Sequence, residues 1–574
     1  MLKKFEPFFW LGVGLFILTG IVVFSFSGNI RSDTTFHLMR LDALTAWISA
    51  GGSYPCRFYA DVCNGSGYAS PQFYCDLFLA PFAWLRVWGM PRAMAFEWML
   101  LTVALLPFVA MFVTMRTICG RSKKSLLCAV IYGVSPSFIA QIFSAGQVGA
   151  ATAYAFVPLA LLPTVALLTE NEMSQRRKVG MCALIVVGMC GMISSHVITT
   201  VLVGLAMVIF CLCRTLFLLR HPARIVVFAL AAAATAGLMA WFWMPMIEQM
   251  LAGELFVEAG GTARNLVATA TTPLGFFLPW IFCVKIAQWT GTAFPMFDTF
   301  NGYGFFLVPL MFLVVYDCFK RRFSKPSTYT ICLLSGACFF FILFWCRPLI
   351  QLLNPWFGWV QFMWRFVPLF VCLLAPLVAE YIYTVGIFRR IILTLSFSAC
   401  LASVFLCAGW GWFRSIIMMG DEKPLNTSLS TKSLIDDIGN GEYLPRKAGI
   451  GISSQKDRQN AYLPRLLWVG QPAMPEPYTE EAHVLTAQVS DESGEAQCPF
   501  FYYKGYSATV DGVYCPVEEG MSGQLLVKLP KRGGTLKVWY EGTWIQRISV
   551  WISIGSLALL AILGASFLWW RKRK

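Results

Sequence analysis

The stretch FFWLGVGLFILTGIVVFSFS, residues 8–27, carries no charge, and the polar turn after it leads directly to Ser32-Asp33-Thr34-Thr35-Phe36-His37. As a helix rising about 1.5 Å per residue, such a run matches the roughly 30 Å hydrocarbon core of a bilayer. Asp33 follows six residues after the end of this span, and His37 lies four further on. An acid and an imidazole therefore stand one helical turn apart at the edge of a membrane. Lys3 and Lys4 precede the span and no small-residue cleavage site follows it, so the reading is an anchor and not a removed signal peptide.

The same pattern recurs along the chain. Of 574 residues, 57% are hydrophobic and only 13% charged, a composition that excludes an ordinary soluble domain. Basic residues cluster at Lys3-Lys4, Arg116 to Lys124, Arg176-Arg177-Lys178, Arg214 to Arg224, Lys320 to Lys325, Arg389-Arg390 and Arg571-Lys572-Arg573-Lys574. Short cytoplasmic loops retain Lys and Arg, so these clusters mark every second loop as inside. Spans at 8–27, 94–116, 125–143, 147–169, 179–194, 197–217, 224–247, 304–319, 329–346, 366–386, 390–412 and 549–569 satisfy that alternation. The expectation is an α-helical polytopic membrane protein of about 12 transmembrane helices with both termini cytoplasmic. The stretch 73–90 contains Asp76 and Arg86 and reads as re-entrant or as a helix on the outer face. The net charge of +15 is then a topology signal, and no nucleic-acid partner is expected.

Three segments face outward in this scheme: 28–92, 248–303 and 414–547. The third turns polar and Gly- and Pro-containing after Trp412, with strand-like runs at 500–503, 523–529 and 535–540 and turns at Asp511-Gly512 and Gly533-Gly534. It predicts a small extracytoplasmic β-sandwich before the last helix. The domain expectation is a multi-span region 1–412 whose outer loop 28–92 carries the active site, a β-rich domain 413–547, and a final helix with a basic tail, 548–574.

Most of the nineteen cysteines lie in apolar spans, where a thiol acts as a small hydrophobe. Outside them, Cys56 with Cys63 and Cys498 with Cys515 are possible disulfides on an oxidising face. No CxxC or metal-ligand cluster occurs, and His37, His196, His221 and His483 are scattered, so no metal ligands are assigned.

Individual residues carry two readings each. Asp33 either caps the helix that starts at Thr34 or serves as a base. His37 orients it, contacts a phosphate, or faces solvent, and Arg40 continues the same face and pairs with Asp33 or with substrate. His196 ends a helical hairpin, satisfying backbone groups there or touching a ligand. Arg347 and Arg365 flank an outer hairpin rich in Trp; Trp364 and Arg365 are an interfacial pair or a phosphate contact. Glu248, Glu254, Glu258 and Arg264, with Gly260-Gly261, form a solvated loop or a mobile lid, and Asp298 and Asn301 make a turn or a sugar contact. Tyr502, Tyr503 and Tyr506 close the sandwich core or present a glycan platform, the alternation favouring the core.

Several motifs resemble those of the YfhO-like membrane proteins of the GT-C glycosyltransferase superfamily, also labelled 6-pyruvoyl-tetrahydropterin synthase-related membrane proteins. They are Asp33 after the first span, Gly52-Ser53-Tyr54-Pro55-Cys56-Arg57, Asn64-Gly65-Ser66-Gly67-Tyr68-Ala69-Ser70-Pro71-Gln72-Phe73-Tyr74, His196, Gln361-Phe362-Met363-Trp364-Arg365-Phe366, Glu442-Tyr443-Leu444-Pro445 and Tyr502-Tyr503-Lys504-Gly505-Tyr506-Ser507-Ala508-Thr509-Val510-Asp511-Gly512. Met363 and Lys504-Gly505-Tyr506 depart from the family's usual Pro before Trp-Arg and Pro-Gly-Trp after the Tyr pair.

The resemblance implies a GT-C-like bacterial plasma-membrane enzyme that moves a sugar from a polyprenyl-phosphate donor to an envelope glycan or lipid-linked acceptor on the outer side. It also implies membrane lipid as partner and leaves a divalent cation, Mg or Mn, as the one cofactor to consider. In that chemistry a carboxylate deprotonates the acceptor hydroxyl, the role assigned to Asp33 with His37, and cations neutralise the leaving phosphate. The donor and substrate contacts implied are Arg40, Arg57, His196, Arg347, Trp364 and Arg365. A transporter of lipid-linked oligosaccharides and a non-catalytic envelope assembly protein are the alternatives, although acids at the bilayer midplane and internal repeats, usual in transporters, are not evident.

Overall fold

A computed structural model describes residues 33–63, 65–143, 146–253, 255–257, 265–270, 315–316, 327–384, 438, 441–449, 467–468, 479–481, 483–489, 494–521 and 523–573. Five described helices are long and apolar enough to cross a membrane: Arg92–Cys119, Val148–Thr169, Thr328–Trp345, Met363–Tyr381 and Trp544–Ser566. A sixth span results if Pro222–Leu238 and Ala240–Ala252, bent by 73° at Met239, are one broken helix. The spans expected at 8–27, 304–319 and 390–412 lie outside the described residues, 315 and 316 apart.

Two expected spans differ in form. The segment 125–143 is divided into Ser122–Gly133 and Pro136–Phe143. Pro136 disfavours a helical conformation at Ser135 and opens the second helix, so the first ends before it. The segment 224–247 is interrupted by the bend at Met239 and is not one straight helix. The stretch 73–90 forms no span: Ala80–Val87 has eight residues, about 12 Å of helix, and Trp84 within it and Trp88 after it are exposed.

The chain divides into two compact units, which do not follow the domain limits expected from sequence. One takes in the described parts of 96–235 and 263–425, with Asp33 and Thr34; the other takes in 35–95, 236–262 and the described residues from 426 onward. The outer loop thus belongs with the β-rich region in one compact body.

In the first unit the Val148–Thr169 helix is buried at every residue. It packs against Gln175–Ile193, Val197–Cys213, Thr328–Trp345 and Val367–Thr384. Small side chains make this possible, because apolar helices in a membrane associate through close backbone approach and not through expulsion of water. At Gly188 an added Cβ would meet the Ala160 backbone N at 2.7 Å, and at Gly191 the Phe156 ring at 2.3 Å. Tyr132 and Tyr154 stack at 4.3 Å, and each donates its hydroxyl to the other's carbonyl. Lys124 pairs with Glu380, which explains one of the few acids in a span.

In the second unit nine strands among the described residues form two antiparallel sheets. β1 (Leu467–Trp468), β2 (Thr479–Glu481), β3 (Val484–Val489), β4 (Glu495–Phe501), β5 (Tyr506–Val510), β6 (Val513–Cys515), β7 (Val517–Glu519), β8 (Gln524–Lys528) and β9 (Gly534–Tyr540) follow in order. One sheet runs β1-β4-β8-β7 and the other β2-β3-β9-β5-β6. Leu485, Ala487 and Val489 alternate inward on β3, as do Leu525 and Val527 on β8 and Leu536 and Val538 on β9. Phe500 of the first sheet stacks on Tyr506 of the second at 5.7 Å. Asp511 and Gly512, at φ of 47° and 81°, make the tight turn between β5 and β6 that the Asp-Gly pair demands. Tyr503 and Tyr506 are core residues, as the alternation indicated.

Neither of the disulfides that the sequence left possible forms: Cys56, Cys63, Cys498 and Cys515 are all buried free thiols.

Gly188→Leu should loosen the helix pair around Ala160 and lower stability by about 1–3 kcal/mol, read as a lower melting midpoint of the detergent-solubilised protein. An unchanged midpoint would contradict the close approach.

Candidate functional site

The outer loop is held to the sheets by side chains that its glycine-rich motif exposes. Phe58 lies against Tyr503 and Tyr506, each 5.9 Å away, and stacks on Tyr540 at 5.7 Å. Gly67 has φ of +83°, and a Cβ there would sit 1.7 Å from the Phe58 ring, so only glycine fits. The Ser66 carbonyl accepts from the Phe501 amide at 2.9 Å, and Phe73 stacks on Tyr443 at 5.2 Å. Tyr503 donates its hydroxyl to the Tyr443 carbonyl at 3.0 Å. The motifs at 64–74, 442–445 and 502–506, far apart in sequence, thereby converge in one core.

A polar network runs beside that core. Gln546 donates to Gln72 at 3.0 Å and to the Tyr540 hydroxyl at 2.7 Å. Thr543 donates to Glu248, whose other carboxylate oxygen is 3.2 Å from the Lys504 ammonium. The Lys504 amide donates to Gln249 and its carbonyl accepts from Gln249 in return. Glu248 is therefore a buried helical residue and not part of a solvated lid. Glu254, Glu258, Arg264, Asp298 and Asn301 lie outside the described residues.

Arg40 and Asp76 form a deeply buried ion pair, at 1% and 3% side-chain exposure and 2.5 Å. Arg40 is thus paired with Asp76, and the expectation that it meets Asp33 or a substrate phosphate gives way to a structural role. Its Nη2 also donates to the carbonyls of Tyr74 and Cys75, both at 2.9 Å, and its guanidinium lies 4.2 Å over the Tyr74 ring. The second Asp76 oxygen accepts from the Tyr59 hydroxyl. Burial pushes the Asp76 carboxyl above the usual carboxylate range, a rise that Arg40 and the Tyr59 bond oppose. Sequence reasoning used Asp76 only to reject a span; a carboxylate inside an apolar run was the available signal that it has a buried cationic partner.

The remaining predicted residues fall in two places. Asp33 is exposed and stands immediately before the first helical residue of Thr34–Ser49. His37, on that helix, is 2% exposed, packs edge-on against Phe36 and Tyr74, and has Nδ1 3.4 Å from Arg40 Nη1. The solvent-facing reading of His37 is thereby corrected. Arg57 donates from Nη1 to the Trp241 carbonyl at 2.8 Å. In the helical unit, to which Asp33 also belongs, His196 caps Val197–Cys213 by accepting from the Thr199 amide at 3.3 Å. Burial first, and Arg365 second, lower its pKa to about 3, so it is a neutral imidazole beside a cation. Arg365 donates to the Val360 carbonyl at 2.9 Å and lies over the Phe362 and Trp364 rings at 5.4 and 5.5 Å. Trp364 is buried, whereas Arg347 is exposed at the start of Arg347–Phe357. The fold thus brings together His196, Trp364 and Arg365, two of them cationic or polar groups near an aromatic wall.

Among the described residues no group of three or more His, Cys, Asp or Glu is arranged to hold a metal ion.

No family model matches the chain, and no curated protein matches it. Among solved structures, the cryo-EM structure of the arabinofuranosyltransferase AftD from Mycobacteria is similar, with a TM-score of 0.41 and 15% identity over 72% of this chain and 27% of that one. A mutant of the same enzyme gives a TM-score of 0.35 and 16% identity over 70% of this chain and 28% of that one. The chain therefore spans little more than a quarter of the length of the structures it matches.

Two expectations follow from this geometry. Asp76→Ala leaves Arg40 buried without a counter-charge and should cost about 3–5 kcal/mol, whereas Arg40→Met combined with Asp76→Leu should cost less than the single change; thermal unfolding of these variants and of Arg40→Met and Asp76→Leu alone measures this, and a double variant as damaged as the sum of its parts would refute the pairing. For His196, the folded state holds a depressed pKa, so the unfolded state binds more protons between pH 6.5 and about 3. Stability attributable to it is full above 6.5 and declines as pH falls toward 3. His196→Asn, which keeps a capping acceptor, should flatten that part of the melting-midpoint profile.

Proposed function

We propose that this chain is a GT-C-type membrane glycosyltransferase. It transfers a sugar from a polyprenyl-phosphate donor to an envelope glycan or lipid-linked acceptor on the outer side of a bacterial plasma membrane, by single displacement with inversion. The observation that carries the reading is the exposed carboxylate of Asp33 at the head of the Thr34–Ser49 helix, directly after the first apolar stretch of a chain rich in spanning helices.

A sugar hydroxyl attacks an anomeric carbon well only when a base takes its proton as the new bond forms. In the proposed reaction Asp33 takes that proton and the carrier phosphate leaves with the electron pair of the broken glycosidic bond. The leaving phosphate needs a cation or fixed donors in place of a proton. Arg365 supplies the charge, with Trp364 and Phe362 forming an apolar wall around it and neutral His196 available as a hydrogen-bonding neighbour. Arg347, exposed at the start of its helix, adds a second cation for the phosphate. His37 serves the helix that Asp33 precedes, through its contacts with Arg40 and Tyr74, and is a positioning residue in this scheme. Membrane lipid, donor and acceptor are the partners, and a divalent ion, Mg or Mn, would act by neutralising the phosphate.

The test is sugar release from a panel of radiolabelled polyprenyl-phosphate sugars by purified protein, wild type against Asp33→Asn. Loss of a general base should slow turnover by about 10²–10⁴-fold, with the melting midpoint unchanged. Wild-type turnover in the variant would remove Asp33 from the chemistry, and donor consumption by neither protein would move the transport and assembly readings ahead.

A further inference from the structure

The helix Arg347–Phe357 begins two residues after the spanning helix Thr328–Trp345 ends, and the turn Gly358–Val360 after it leads to the spanning helix Met363–Tyr381. These two spans pack side by side, so the segment that joins them lies at one boundary of the membrane. Its eleven helical residues make about 16 Å, about half the hydrocarbon thickness, and cannot cross it. One side of the helix is fixed to the helical unit. Ile350 is buried there, and the Asn354 side-chain oxygen accepts from the Leu266 amide at 2.7 Å.

The other side is an apolar stripe. Pro348, Gln351, Leu352, Pro355 and Trp356 recur at steps of three and four, the spacing of a single helical face, and all are exposed. Leu352 is 69% exposed and Trp356 76%, and Trp359 in the following turn is exposed as well. Trp359 donates from Nε1 to the Trp356 carbonyl at 2.8 Å, and its ring stacks on Phe357 at 6.1 Å, so the second indole is held in place. Between 347 and 359 Arg347 is the one charged residue. A helix facing water carries charged and polar side chains on its outer face, and this one carries two prolines, a leucine and a tryptophan beside a single glutamine. At the depth where a span ends the surroundings are lipid headgroups and upper acyl chains, where an indole buries its ring and keeps its N–H among polar groups, and where an arginine reaches phosphates. A second copy of the chain is a weaker fit for so small a surface: the helix offers about 16 Å by 10 Å, about 160 Å², against about 800 Å² per partner in a stable interface.

We propose that this stripe is a lipid-docking surface: Arg347–Phe357 lies flat in the headgroup layer, with Leu352 and Trp356 set among the upper acyl chains of bulk phospholipid. Docking of this kind goes beyond the proposed reaction and holds whether or not sugar transfer occurs. It also has a use within the unit. Arg365 donates to the Val360 carbonyl at 2.9 Å, in the turn that ends the stripe, so the docked segment sets the depth at which Arg365 stands.

The test places the photoreactive residue p-benzoylphenylalanine at position 352 or 356 of the full-length protein, reconstituted in nanodiscs of phosphatidylethanolamine and phosphatidylglycerol with a small share of polyprenyl phosphate. After irradiation, mass analysis of the labelled peptide should show phospholipid adducts at both positions. Adducts to a second copy of the chain, adducts to polyprenyl phosphate in preference to phospholipid, or no adduct at either position would overturn the docking. Amide exchange gives a second readout that needs no label. Leu352→Gln and Trp356→Gln should each speed exchange across Arg347–Phe357 in the nanodisc by about tenfold or more, with exchange in the neighbouring spans unchanged. A helix that faces water would lose nothing by either change, so unaltered exchange in both variants also counts against the proposal. Phospholipid adducts without sugar transfer, or transfer without the adducts, separate this surface from the proposed reaction.

Discussion

The buried pair of Arg40 and Asp76 is the constraint on which the outer-loop unit depends. Removing two charges from water carries a penalty that their attraction offsets only when every remaining donor and acceptor is also met. Here the guanidinium is met by two backbone carbonyls and the Tyr74 ring, and the carboxylate by the Tyr59 hydroxyl. Those partners come from residues 59 and 74–76, so satisfying one ion pair fixes the path of the loop over some seventeen positions. The Thr34–Ser49 helix that bears Arg40 is tied to that path, and Asp33 directly precedes this helix in the chain.

Once the loop has this path, its glycine-rich motif acts as a docking surface. Gly67 lets the Phe58 ring sit where a side chain would block it, and Phe58 then enters the aromatic cluster of Tyr503, Tyr506 and Tyr540. The network of Gln72, Gln546, Thr543, Glu248, Gln249 and Lys504 joins the loop and sheets to Ala240–Ala252 and to the start of the last helix. Loop, sheets and helix ends are consequently one cooperative body, and changes at 64–74 should be felt as losses of packing before losses of chemistry. The motifs at 64–74, 442–445 and 502–506 have, at their described positions, this structural use.

The helical unit follows a different rule. Around Val148–Thr169, small residues and glycines allow neighbouring backbones to touch, which is how helices associate when the surrounding solvent is as apolar as they are. Several polar groups in that unit are met locally: Lys124 by Glu380, His196 by the Thr199 amide, and Arg365 by the Val360 carbonyl and two rings. A neutral imidazole and a guanidinium within each other's field can shape a phosphate site without adding a titration near neutral pH.

Hydrophobic length marked the membrane class and most of the described helix positions, and alternation with turn residues marked some of the strands, because each depends on residues close together in the chain: Val148–Thr169 and Trp544–Arg573 are legible as apolar runs, and Asp511-Gly512 as a hairpin turn. The break at Pro136 was equally local and was present to be read. Partner choice was not. Arg40 could face Asp33, seven residues away, yet it pairs with Asp76, thirty-six residues away, and Glu248 meets Thr543 across 295. The pairing of cysteines, the burial of His37 and the convergence of three motifs on Phe58 and Tyr443 were likewise decided only by the tertiary structure. The reason is physical: a buried charge or donor takes whichever partner the packed chain brings within reach, and sequence spacing carries no record of that encounter.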